Sequence, residues 1–244
     1  MIPTTRATIT ASAAAVIAAT GYLGTKYLAG GILLCVLALA WGWPHLAHVS
    51  RTTVSSIVIA GGGALAIFAV ALGRSEPYLR YMVIAVAAVT IAALASEIFF
   101  ASQRGHAVTS VAGTAAGGAI ATSGAAWLAA NRTVGAEDLV VAGGTVLAVA
   151  AVAAVLTTNG NVNAVLTILL GTGAGSGMGH LLPSMSWWGG SLVGLSCAVT
   201  VVLTNELYRR EPRPRTHMAG IASGITPVLV AGMLVYLGGR LLVG

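Results

Sequence analysis

A chain of 244 residues that is 57% hydrophobic and only 7% charged, with a mean hydropathy of +0.92, is not composed like a water-soluble globule. Soluble domains carry roughly 25% charged residues, and 12 Lys+Arg with 6 Asp+Glu are too few to solvate a surface of this size. Lipid must cover most of the chain, and the net charge of +6 has no soluble fold to present it to nucleic acid.

The expected class is therefore all-α: a polytopic transmembrane helix bundle forming one domain over residues 1–244. A helix of about 20 apolar residues crosses a hydrocarbon core roughly 30 Å thick. A β-barrel would show short segments alternating apolar and polar residues instead. Nine apolar spans follow in chain order: Ala7 to Leu23, Leu28 to Trp43, Thr52 to Gly73, Tyr78 to Phe100, Ala107 to Ala130, Leu139 to Thr157, Val162 to Leu182, Ser186 to Leu207 and Met218 to Leu242.

The first span opens with Arg6 and an Ala-rich run, which also resembles a secretory signal peptide. With Met1 retained, an uncleaved span is expected. The second span ends in Trp41 and Trp43, which with Trp187 and Trp188 suit the headgroup region as anchors. His45 and His48, three apart just after it, would share a face on a helix, but two histidines make a weak metal case. Cys35 and the eighth-span Cys197 read as small hydrophobes in helix packing.

Glu97, near the end of the fourth span and seven residues before Arg104, reads first as an interfacial residue paired with an arginine. A proton-coupling carboxylate is the sharper alternative, because ionisable groups buried in lipid are costly and mark pathways. The fifth span carries Gly113 and Gly117 four apart, and the seventh carries Gly171, Gly175 and Gly179 at the same spacing. Gly190 with Gly194 and Gly220 with Gly224 repeat it. Such glycines share a face and let two backbones approach closely. The alternative is a seventh span unwound over Gly171 to Gly179, exposing backbone to a solute as broken transporter helices do. The run does not complete a phosphate-cradling motif.

Asn159, Asn161 and Asn163 alternate around Gly160, which suits a tight turn before the seventh span. His180 sits near the far end of that span, where a histidine commonly caps a helix. In the eighth span Asn205 and Glu206 precede Tyr208, and Glu206 is expected to pair with a neighbouring arginine. Arg209, Arg210, Arg213 and Arg215 form a basic loop fit for anionic lipid headgroups, each worth on the order of 1 kcal/mol near the surface. Pro212 and Pro214 favour an extended path through it.

Basic residues in short loops favour the cytoplasm. An N-terminus inside puts seven of the 12 there and leaves Lys26, Arg74, Arg80, Arg132 and Arg240 outside. The expected location is the inner (plasma) membrane. Internal repetition is confined to Ala40-Trp41 and Ala126-Trp127.

No GxSxG, HExxH or CxxC occurs, and the adjacent Glu137 and Asp138 fall in an outer loop, so catalysis is not expected and no cofactor or metal is called for. The stretches LAWGWP (Leu39 to Pro44), QRGHAVTSVAG (Gln103 to Gly113) with Ala125-Ala126-Trp127, and the last span with Pro227 resemble the Ala/Val/Gly-rich polytopic membrane proteins of high-GC Gram-positive bacteria, usually described only as permeases or conserved membrane proteins. The resemblance implies a membrane bundle and assigns no residue a role.

Two functions stay open. One is a permease-like protein for a small or lipid-like solute, with Glu97, His180, Asn163, Gly171 and Gly175 along the pathway and a cavity lined by the fifth and seventh spans. The other is an accessory or scaffold subunit of a larger envelope or respiratory complex, whose glycine faces dock other membrane subunits or a second copy. Membrane lipids are partners in both.

Overall fold

The computed structural model describes residues 3–73, 75–99, 107–133, 138–210, 214 and 216–243. These form ten helices and, among the described residues, no strand. In chain order they are α1 (Pro3–Leu23), α2 (Thr25–Leu46), α3 (Thr52–Leu72), α4 (Met82–Phe99), α5 (Ala107–Ser123), α6 (Ala125–Arg132), α7 (Asp138–Ala153), α8 (Gly160–Leu181), α9 (Trp187–Arg210) and α10 (His217–Val243). Six of them, α2, α3, α4, α8, α9 and α10, are long and apolar enough to cross a membrane.

Three boundaries depart from the sequence expectation. The fifth span is interrupted at Gly124, yet this residue keeps right-handed helical angles (φ −58°, ψ −30°), so α5 and α6 continue one rod. Only the local bonding tightens there, with the Trp127 amide donating to the Gly124 carbonyl at 3.2 Å. Residues Tyr78–Tyr81 form turns, so the fourth span starts at Met82. α7 stops at Ala153, four residues before the expected end. That last difference creates the candidate site described below.

α10 occupies the middle of the bundle, packed on α1, α2, α5, α6, α7 and α9. Its neighbours hold it partly through its own carbonyls. Trp127 Nε1 donates to Val228 O at 2.8 Å, Ser123 Oγ to Leu229 O at 3.1 Å, and Thr10 Oγ1 to Gly224 O at 2.7 Å. These cluster around Pro227, which lacks an N–H and interrupts the helix's own ladder. Trp127 is fully buried and fills the space that Gly143 and Gly232 leave open.

α4 and α8 lie at opposite flanks, α4 against α3 and α5, α8 against α9 and α7. Their outward faces expose Ile84, Ile91 and Ile98 on one side and Val165 and Leu169 on the other. Exposed apolar residues in that number are what lipid, not water, stabilises.

The closest helix pair is α8 with α9. Gly171, Gly175 and Gly179 on α8 face Gly190 and Gly194 on α9, and a Cβ built on Gly175 would stand 2.8 Å from Gly194 Cα and closer still to Gly190 O. Between helices in lipid there is no hydrophobic drive, so such backbone contact supplies the dispersion that holds the pair.

Candidate functional site

Because α7 ends early, the space it would have filled beside α1, α8, α9 and α10 is left as a cavity of about 890 Å³. It is bounded by the start of α1 (Arg6), residues 154–158 after α7, the start of α8, the end of α9 and Ser223 of α10. The starts of α1, α8 and α10 and the ends of α7 and α9 thus meet at one end of the bundle. The vestibule reaches Thr167, seven residues into α8, so at 1.5 Å per residue it is about 10 Å deep. Beyond Thr167 the glycine seam closes α8 onto α9.

The asparagine-rich turn forms the rim of this vestibule. The Asn159 side chain caps α8 by accepting from the Asn161 amide at 3.0 Å, the local bond that favours Asn before a helix. Asn163 is spent on Thr157: its Oδ1 accepts from the Thr157 amide (2.8 Å) and hydroxyl (2.7 Å), and its Nδ2 donates to the Thr157 carbonyl (2.8 Å). Asn163 therefore shapes the wall and has little left for a solute.

Charge is distributed unevenly. Glu206 of α9 is clamped by Arg209 (2.9 Å) and Arg210 (3.1 Å). The Arg209 guanidinium also lies across Gly160, where a Cβ would meet its Nη1 at 2.7 Å. Arg6 stands apart. Its guanidinium sits 5.4 Å from the centroid of the Tyr208 ring, and Tyr208 is itself fixed by donating to Thr226 Oγ1 at 3.0 Å. The Arg6 Nε is buried without a hydrogen-bond partner.

The residues singled out from sequence do not converge. Glu97 lies near the end of α4, on the other flank, where Ser110 Oγ of α5 donates to its Oε1 while Oε2 is buried without a hydrogen-bond partner. One turn further along α5, Thr114 pairs with Ser55 of α3 at 2.8 Å. His180 is exposed in the last turn of α8, at the opposite end from the vestibule. Gly171 and Gly175 lie on a continuous helix, so the unwound seventh span does not form and these glycines are packing contacts.

The expected cavity between the fifth and seventh spans is absent among the described residues. α5 and α8 belong to different flanks, and Gly117 is instead filled by the Trp43 ring. Trp43, expected as an interfacial anchor, is half-buried and donates to the Gly113 carbonyl at 2.8 Å. Arg209 and Arg210 are well exposed, as headgroup contact requires, while Arg213 and Arg215 lie outside the described residues.

Sequence reasoning passed over Arg6 and Tyr208. Arg6 read only as a topology residue, although an arginine inside the first turns of a span is itself a signal that its charge must find an interior partner. Chemically, the vestibule can bind and orient a solute. Among the described residues no three His, Cys, Asp or Glu side chains are grouped to hold a metal. The chain matches no protein-family model, and neither the curated proteins nor the solved structures include one that matches it.

Proposed function

We propose that the chain crosses the plasma membrane nine times with its N-terminus in the cytoplasm, and that it is a permease-like protein whose cytoplasmic vestibule takes up a small or lipid-like solute. Counting α5 and α6 as one rod turns ten helices into nine crossings. The vestibule end carries Arg6, Arg209 and Arg210, in keeping with the preference of basic residues for the cytoplasm. The resemblance to permease-like proteins of high-GC Gram-positive bacteria agrees with this reading and adds no residue to it.

The observation that carries the reading is the one-sided vestibule itself. A cavity of about 890 Å³ falls within the range that holds small-molecule ligands, roughly 300–1,000 Å³. Its closed far side corresponds to an inward-facing form of an alternating-access cycle. The glycine seam above it favours a second reading, an accessory subunit through which nothing passes.

Asn161, exposed at the mouth, provides the test, since Cys35 and Cys197 are both buried. Asn161→Cys is expected to react with a membrane-impermeant thiol reagent from the cytoplasmic side only. Proteoliposomes loaded with a cytosolic extract are expected to release one or more solutes until that cysteine is alkylated. Labelling from the outer side refutes the orientation. Release no greater than from protein-free liposomes refutes the permease reading, and a stoichiometric membrane partner on copurification then supports the accessory one.

A further inference from the structure

The vestibule does not end at its own walls. A second, wholly apolar groove of about 360 Å³ runs between α1, α7 and α8, lined by Ala11, Ala148, Val149, Val152, Ala153 and Leu170, and Leu156 borders both spaces. From Ala153 to Ala148 it follows α7 for about 8 Å at 1.5 Å per residue, and Leu156 lies just past the end of that helix. A chamber that holds arginines thus leads into a strip that offers nothing but dispersion contact.

The geometry points to an anionic lipid amphiphile as the ligand, its phosphate on the Arg6 guanidinium and its acyl chain in the α1–α7–α8 groove. The inference rests on the reading of the vestibule as the solute site and narrows the solute to one class.

Three observations carry it. The first is the state of Arg6. A guanidinium has five N–H donors in its plane, and the Tyr208 ring at 5.4 Å engages only the cation's charge, not those donors. No carboxylate among the described residues pairs with Arg6, because Glu206, the acidic residue of the lining, is held by Arg209 and Arg210. The lining thus sets two cations, Arg6 and Arg209, against one carboxylate, and Arg6 is the cation with no carboxylate partner; its planar fork matches a phosphate bidentately.

The second is the start of α8 at Gly160, which lines the same chamber and places the positive end of the helix dipole there. The third is continuity. Leu156 joins the two spaces, so a headgroup on Arg6 and a chain along Val149 and Val152 belong to one molecule. A free phosphate leaves the groove empty, and a neutral amphiphile leaves Arg6 unpaired.

The test uses the full-length protein in a neutral detergent, with binding read by native mass spectrometry. The probes are oleoyl lysophosphatidic acid, the phosphate-free lipid monooleoylglycerol and inorganic phosphate. One lysophosphatidic acid per chain is expected, at least about tenfold tighter than the neutral lipid of the same chain, as loss of a charge-assisted hydrogen bond implies. Arg6→Gln is expected to abolish that preference, Arg6→Lys to keep part of it, and Val152→Trp to weaken the lipid but not phosphate.

Equal binding of the two lipids by the native protein overturns the proposal, and that comparison stands even where Arg6→Gln does not fold. A folded Arg6→Gln with unchanged preference overturns it too. Inorganic phosphate held as tightly as the lipid, with Val152→Trp without effect, assigns the site to a free anion and overturns the lipid. Arg6-dependent lipid binding with no solute release from proteoliposomes leaves this site standing and removes the permease reading. Solute release without Arg6-dependent binding does the reverse.

Discussion

The α8–α9 seam allows a matched pair of substitutions on a single helix. Gly175 and Gly177 are two residues apart on α8, both in regular helix, but a Cβ at Gly175 meets Gly194 Cα at 2.8 Å and Gly194 N at 2.9 Å, while a Cβ at Gly177 meets nothing within 4 Å. Carbon atoms rest at about 3.5–4.0 Å, so Gly175→Ala must push α8 from α9 by about 1 Å. The atoms it strikes are backbone and have no rotamer to adopt. Overpacking of this kind costs about 1–3 kcal/mol.

Both substitutions gain the same helix preference, about 1 kcal/mol for replacing Gly by Ala in a helix interior. That gain cancels in the comparison, and the difference between the variants isolates the seam. At about 2–4 °C per kcal/mol for a chain of this length, Gly175→Ala is expected to melt about 2–12 °C below Gly177→Ala when unfolding in detergent is followed by circular dichroism. Gly190→Ala, which strikes the same seam from α9, is expected to track Gly175→Ala. Equal melting temperatures for Gly175→Ala and Gly177→Ala refute the argument that glycine here exists for backbone approach.

Two further outcomes follow from the core and the end of α3. Trp127→Phe loses the bond to Val228 O and one ring of the buried indole, an expected loss of about 2 kcal/mol, whereas Trp127→Ala empties the centre of the bundle and is expected to cost about 3–5 kcal/mol; thermal unfolding separates the two. Arg132 donates to the carbonyls of Val70, Ala71 and Gly73 at the end of α3 and lies 4.5 Å from the centroid of the Tyr78 ring. Arg132→Lys, which cannot reach three carbonyls with one fork, is expected to speed hydrogen exchange in the last turn of α3 nearly as much as Arg132→Gln; full protection in the lysine variant refutes the capping role.

Several features could be read before any fold was known because each depends on solvent or on local geometry. Apolar runs longer than a bilayer is thick must be helices that satisfy their own amides, and the described helices follow those runs to within a few residues at most ends. The Asn159 cap and the Glu206 pairs with Arg209 and Arg210 are local contacts a few residues apart, so spacing alone places them. Glycines four apart announce a close helix contact.

What the tertiary structure alone decided is which helices meet and where space remains. A helix apolar on every side has no polar face to show which side is inward. Nothing in the sequence therefore pairs α1 with α7 or α2 with α10, or separates Glu97 from Asn163 by the width of the bundle. The vestibule depends on an absence, the early end of α7 at Ala153, and its cation comes from the first helix to stand over a tyrosine of the ninth. Lipid dictates that the segments be helical; only the packing of their small side chains sets which ones touch.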